Sequence, residues 1–119
     1  MNAGTLIDEI KKHPDYPKVG MILCHNGVVR ATSRDGRAAS GLRVSVDHAL
    51  LDGIIAEQKK TPGIVDIQVR IAEDRDLEVG EDVMLLAVAG DIRETVIRVL
   101  TDTLNAIKAT VTHKTERLV

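Results

Sequence analysis

The order of elements that the chain predicts is helix, strand, strand, helix, strand, strand, helix, strand. That order reads as α+β, a two-layer sandwich of helices on a mostly antiparallel sheet. Three observations carry the expectation. Residues 83–89 (VMLLAVA) form a continuous apolar run of strand length rather than helix length. Next, Ile92, Val96, Val99, Leu100, Thr103, Leu104 and Ile107 recur at helical spacing, with Glu94, Arg98, Asp102 and Asn105 on the opposite face. Finally, the strands come in pairs between helices, which disfavours a doubly wound parallel sheet.

In chain order, Thr5 is placed to cap a short helix over residues 6–12 that Pro14 and Pro17 stop, with Leu6, Ile7 and Ile10 as its apolar stripe. A strand over 19–30 is interrupted at Asn26-Gly27, where a bulge fits better than a hairpin turn. Residues 33–41 read as a small-residue loop carrying Arg34 and Arg37, and 42–46 alternate as a half-buried strand does. A helix from Asp47 or His48 to Lys60 turns Leu50, Leu51, Ile54 and Ile55 inward and ends at Thr61-Pro62-Gly63. Residues 64–71 are the next strand, and the acidic run 73–82 leads into the central one. Gly90 ends that strand, and Asp91 stands at the N-cap position with Glu94 at capping-box spacing. Lys108 closes the long helix. The alternating segment 109–116 follows as a strand which, folded back, brings Lys108 and Lys114 together.

The 119 residues predict a single domain over 1–119. With no Phe, no Trp and one Tyr, the core is aliphatic and the stacking platforms for single-stranded nucleic acid are missing. A net charge of −2 provides no global attraction to nucleic acid or to an anionic membrane. A lone Cys24, with neither a cleavable signal nor an apolar run of spanning length, leads to the expectation of a cytoplasmic protein.

No metal site is expected. Cys24 and His25 are adjacent and point to opposite faces of a strand, and His13, His48 and His113 are scattered. Nucleophile elbows and phosphate-cradling glycine loops are absent from the sequence, and Cys24 reads as a core thiol. What remains is a set of cations at element ends: Arg30, Arg34, Arg37, Arg93, Lys108 and Lys114. Lys108 suits a helix C-terminus through the macrodipole alone. Arg93, in a first helical turn, opposes that dipole, and a bound anion would explain it.

These residues resemble the large, catalytic subunit of molybdopterin synthase, the MoaE family, whose domain is an α/β-hammerhead. GMILCHNGVVR (20–30) is similar to the family's first core strand with its terminal arginine, and LRVSVDHALLDGII (42–55) to its strand entering a helix. VRIAEDRDLEVGEDVMLLAV (69–88) resembles the segment leading into the central strand, with a short insertion near residues 74–76. Arg93 falls on the arginine of a His-Arg pair whose histidine is Ile92 here, Lys108 on the lysine closing the helix, and KTE (114–116) on the family's second lysine and glutamate.

The resemblance implies a sulfur transferase of molybdenum-cofactor biosynthesis. A cyclic pyranopterin monophosphate receives two sulfurs from the thiocarboxylated Gly-Gly tail of a ubiquitin-like small subunit, and the large subunit forms a homodimer. It implies catalytic Lys108 and Lys114, with Arg30, Arg93, Arg37 and His113 as substrate-binding residues, His113 partly replacing the lost histidine. No resident cofactor is implied. A second expectation from the same residues is a catalytically degenerate relative, a dimeric anion-binding or interaction protein.

Overall fold

The computed structural model describes residues 2–119; Met1, part of the expected 1–119 domain, lies outside them. The elements are α1 (Ala3–Lys11), a 3-10 turn (Tyr16–Lys18), β1 (Met21–Val28), β2 (Ala39–Val46), α2 (His48–Lys59), β3 (Ile64–Ile71), β4 (Leu77–Glu78), β5 (Asp82–Gly90), α3 (Arg93–Ala106), a π turn (Ile107–Val111) and β6 (Thr112–Leu118). Apart from the two-residue β4, this is the expected order, and every strand pair is antiparallel.

The strands do not make one sheet. They divide into two three-stranded sheets, β1-β5-β3 and β4-β2-β6. In the first, β5 is the centre, and from Met84 to Gly90 it is buried throughout. Alternation sends Leu85, Ala87 and Ala89 to Leu6 and Ile10 of α1, and Leu86 and Val88 to Val96 and Val99 of α3. Helices therefore cover both faces of this sheet, which is why its central strand reads as an unbroken apolar run. Each such Leu or Val contributes about 1.5–3 kcal/mol by leaving water.

Three local expectations are corrected. Asn2, not Thr5, caps α1: its side-chain oxygen accepts a hydrogen bond from the Thr5 backbone N–H at 3.0 Å. At the start of α3 the capping box does not form, and Ile92 occupies the N-cap without a side-chain bond. Asp91 instead accepts from the Ile92 N–H at 2.7 Å and lies against Gly63, whose φ of +92° and missing Cβ make room for that carboxylate. Ile92 is 55% exposed and Leu50 46% exposed, so neither joins the core that its spacing predicted.

The bulge expected at Asn26-Gly27 is present as a register shift between Gly27 and Val28. The segment 33–41 is more ordered than a loop. The Ser33 N–H donates to the Arg37 carbonyl at 2.7 Å, Gly36 takes φ +88°, Thr32 bridges to Ala38, and β2 starts at Ala39. Asp47 caps α2 through the Leu50 N–H at 3.1 Å, so the helix starts at His48, the second of the two expected starts.

α3 then runs back along β5. Its 14 residues rise roughly 21 Å at 1.5 Å each, returning the chain to the end where β5 begins. There Ile107 and Val111 pack with Met84 and Leu51. The π turn seats both of these residues inward and leaves Lys108 exposed beside them. Single π turns within helices recur at functional sites.

Candidate functional site

A cavity of about 490 Å³ opens where the two sheets meet, lined from β1, the link to β2, β2, β3, β5, the π turn and β6. Its floor is apolar: Val29, Leu42, Val44 and Met84 are all buried, with Ile71 and Val83 beside them. Its polar lining is mostly cationic, with Arg30, Arg34, Lys108 and Lys114 joined by His25 and Glu116.

Each of these side chains is placed by a local rule. β6 pairs with β2 so that Thr112, Lys114 and Glu116 stand opposite Val46, Val44 and Leu42. Strand alternation therefore gives Lys114 and Glu116 the face of the buried Val44 and Leu42. Lys108 arrives from the π turn. The strand leaving the helix thus brings the two lysines to one cavity, as expected. Arg30 and Arg34 come from the link that follows the β1 bulge. Among the described residues, none of these four cations has a carboxylate within ion-pair distance. Cations elsewhere on the surface, such as Lys12, Lys60 and Arg75, do. Four unpaired positive charges over an apolar floor favour an anion that also carries an apolar or planar body.

Three expected site residues stand apart within one chain. Arg37 is held by Asp35 at 2.9 Å and faces a shallow depression that shares Ser33, Arg34 and Glu116 with the cavity, so it sits at the rim. The Ser33 hydroxyl, first among its causes, holds the Asp35 carboxyl below the ordinary value, and Arg37 adds to this. His113 pairs opposite Ser45 and so points to the other face of β6. Arg93 lies beyond the far end of β5, roughly 20–23 Å of strand from the cavity's Met84 and Val83 at ~3.3 Å per residue, where it pairs with Glu94 at 3.4 Å.

His25 is the cavity residue that the sequence reading set aside. Only a metal was considered for it, yet the alternation that separates it from Cys24 already turned it toward α3. Burial first, and the Lys108 ammonium second, hold its imidazole below the ordinary histidine value. Burial raises the Cys24 thiol on the other face, as suits a core residue. Among the described residues no three His, Cys, Asp or Glu side chains converge, and no helix is long and apolar enough to cross a membrane.

The structure is similar to a molybdopterin synthase from Staphylococcus aureus, with 21% identity, a TM-score of 0.73, and coverage of 86% of this chain and 77% of that one. A molybdopterin cofactor biosynthesis protein E from Burkholderia multivorans, also 21% identical, matches over 100% of this chain and 84% of its own, with a TM-score of 0.78. The third comparison is a complex of subunits 1 and 2 of molybdopterin-converting factor from Helicobacter pylori. It is 16% identical, with a TM-score of 0.74 and coverage of 99% and 80%. No curated protein matches by sequence. At these identities the likeness establishes the fold. Residues 2–110, most of the chain and the whole of α3, match the family described as MoaE protein. The chain belongs to the MoaE family, the large, catalytic subunits of molybdopterin synthase.

Proposed function

We propose that the cavity between the two sheets is where this chain converts a cyclic pyranopterin monophosphate to molybdopterin with sulfur from a thiocarboxylated small subunit. The observation that carries the reading is the meeting of Arg30, Lys108 and Lys114, all without carboxylate partners among the described residues, over an apolar floor. Arg30 and Arg34 hold the phosphate, since a guanidinium presents its donors in the fork that phosphate oxygens accept. The floor of Val29, Leu42 and Met84 takes the ring system. Lys108 and Lys114 stabilise the charge that develops as the cyclic phosphate opens and sulfur adds, and they carry protons to the leaving oxygen. A tail ending in Gly-Gly has no side chains there, so it threads a cavity of this size.

Arg37 guides the anion at the rim. Arg93 is too far along β5 to serve the cavity of its own chain, and it acts there only from a second copy in a homodimer, the commonest symmetric assembly. His113, on the other face of β6, takes no part. The Helicobacter relative is a complex of two subunits, and a small-subunit partner is the counterpart here.

Calorimetry with the organism's small subunit, intact and with its Gly-Gly tail deleted, tests the reading. Binding that depends on the tail is expected. Equal binding of both forms, or none, would remove the tail from the cavity and overturn it.

A further inference from the structure

Two titratable groups on the cavity have no role in the sulfur transfer described above, Glu116 and His25. Glu116 is exposed on an edge strand; His25 is half-buried on β1 and faces inward. Met21 and Leu23 share its face and pack toward α3, whereas Ile22 and Cys24 pack toward α1. The imidazole extends along β1 over Gly27, its Nε2 only 3.2 Å from where a Cβ on that residue would stand. With no Cβ at Gly27 the ring lies there uncrowded; a methyl would ask it to give by a few tenths of an ångström. Among the described residues no hydrogen bond occupies either ring nitrogen. The charged groups that line the cavity with it are Lys108 from the π turn, Lys114 and Glu116 from β6, and Arg30 and Arg34 from the link; β3 and β5 present Ile71, Val83 and Met84 there, and Leu86 stands opposite His25 in register.

A free imidazole nitrogen beside an ammonium, over an apolar floor, is suited to taking a proton from water. We propose that His25 is a catalytic base of the sulfur transfer, acting on the water that frees the small subunit's tail once its sulfur has bonded to the pterin. This rests on the sulfur-transfer reading. A thiocarboxylate joined through sulfur to a substrate carbon has become a thioester, and its acyl C–S bond must break before the tail can leave. The water oxygen bonds to the acyl carbon while Nε2 takes a water proton. The C–S bond breaks, its electron pair stays on sulfur as a pterin thiolate, and the tail departs as a carboxylic acid that then ionises. No oxidant or reductant enters. The Lys108 ammonium faces the negative charge that forms. The imidazole is kept neutral by burial and by Lys108, and so is ready to accept the proton near neutral pH.

Intact-mass spectrometry of the small subunit tests this, after mixing its thiocarboxylated form and the cyclic pterin monophosphate with wild-type protein, His25→Gln or Gly27→Ala. Wild-type protein should return the tail as carboxylate. His25→Gln should slow release about a hundredfold and accumulate the tail–pterin adduct, with release recovering at higher pH as hydroxide replaces the base. Gly27→Ala keeps the histidine and shifts its ring by a few tenths of an ångström, and should slow release less than His25→Gln does. Release at the wild-type rate without adduct in both variants would overturn the role of His25 alone. Failure of wild-type protein to form product with a competent small subunit would overturn the sulfur-transfer reading, and this step with it.

Discussion

The two sheets have three strands each but divide the work of the molecule. β1-β5-β3 has helices on both faces, and its central strand is sealed from Met84 to Gly90. Among the described residues, β4-β2-β6 has no such cover. β6 is an exposed edge, β4 is two residues long, and the apolar face of β2 forms the cavity floor beneath unpaired lysines. One sheet supplies stability; the other carries the open cavity in which the proposed reaction is set. A site that holds uncompensated cations costs stability and must be carried by a core elsewhere.

The largest expected effect separates the two directly. Leu86→Ala, at 0% exposure between β5 and α3, should lower unfolding free energy by about 2–5 kcal/mol. Lys108→Ala, on the exposed side of the π turn, should change it by no more than about 0.5 kcal/mol. Denaturant titration of both checks the division, and equal losses would break it.

The second test concerns assembly. Arg93→Ala and Lys108→Ala proteins, each inactive alone, should regain about a quarter of wild-type turnover when unfolded, mixed and refolded together. Half the dimers would be mixed, and in each of those one of two sites would combine an intact Arg93 with an intact Lys108. No recovery would mean that Arg93 does not act across a dimer.

Within the open sheet, Gly41 lets the Arg117 guanidinium cross β2 and donate to the Leu77 carbonyl at 3.0 Å, tying β6 to β4. A Cβ there would meet both that guanidinium and that carbonyl. Gly41→Ala should therefore destabilise by roughly 1–3 kcal/mol, read as a lower denaturant midpoint.

The smallest effect is one of pH. His48, at the N-terminus of α2, meets Glu73 at 2.7 Å, and that hydrogen bond, with the Glu73 charge, raises its pKa. The contribution is present in full below the ordinary histidine value of about 6.5 and is lost as pH rises through the folded value. For His25 the sign is opposite. Its pKa is lowered, so its contribution holds above the ordinary value and is lost as pH falls through the folded one. The melting difference between wild type and His48→Gln should shrink with rising pH, and that for His25→Phe should shrink with falling pH.

Much of the covered sheet was legible in the chain, because a strand buried on both faces and a helix with one apolar stripe leave plain patterns. Ile64–Ile71 was legible as a strand, and the meeting of Lys108 with Lys114 followed once the segment after α3 was taken to fold back as a strand. The start of α3 did not: Asp91 has the spacing of a cap, but its carboxylate is drawn to Gly63, a contact between residues distant in sequence. The split into two sheets was hidden for the same reason. β2 chooses β6, some seventy residues on, and nothing local to either strand says so. Of the candidate site, the lysines were legible as charges at element ends. His25 was not, because the role proposed for it depends on Gly27 beneath it and Lys108 beside it.

Sulfur transfer is proposed to take place in the cationic cavity between the sheets. The most direct test of this supplies the cyclic pterin monophosphate and thiocarboxylated small subunit to wild-type protein and to the double variant Lys108→Ala, Lys114→Ala, with oxidised molybdopterin detected by fluorescence. Product from wild type, and a loss of at least about a hundredfold in a double variant that melts as wild type does, is the predicted result. Product formed equally by both would contradict the account.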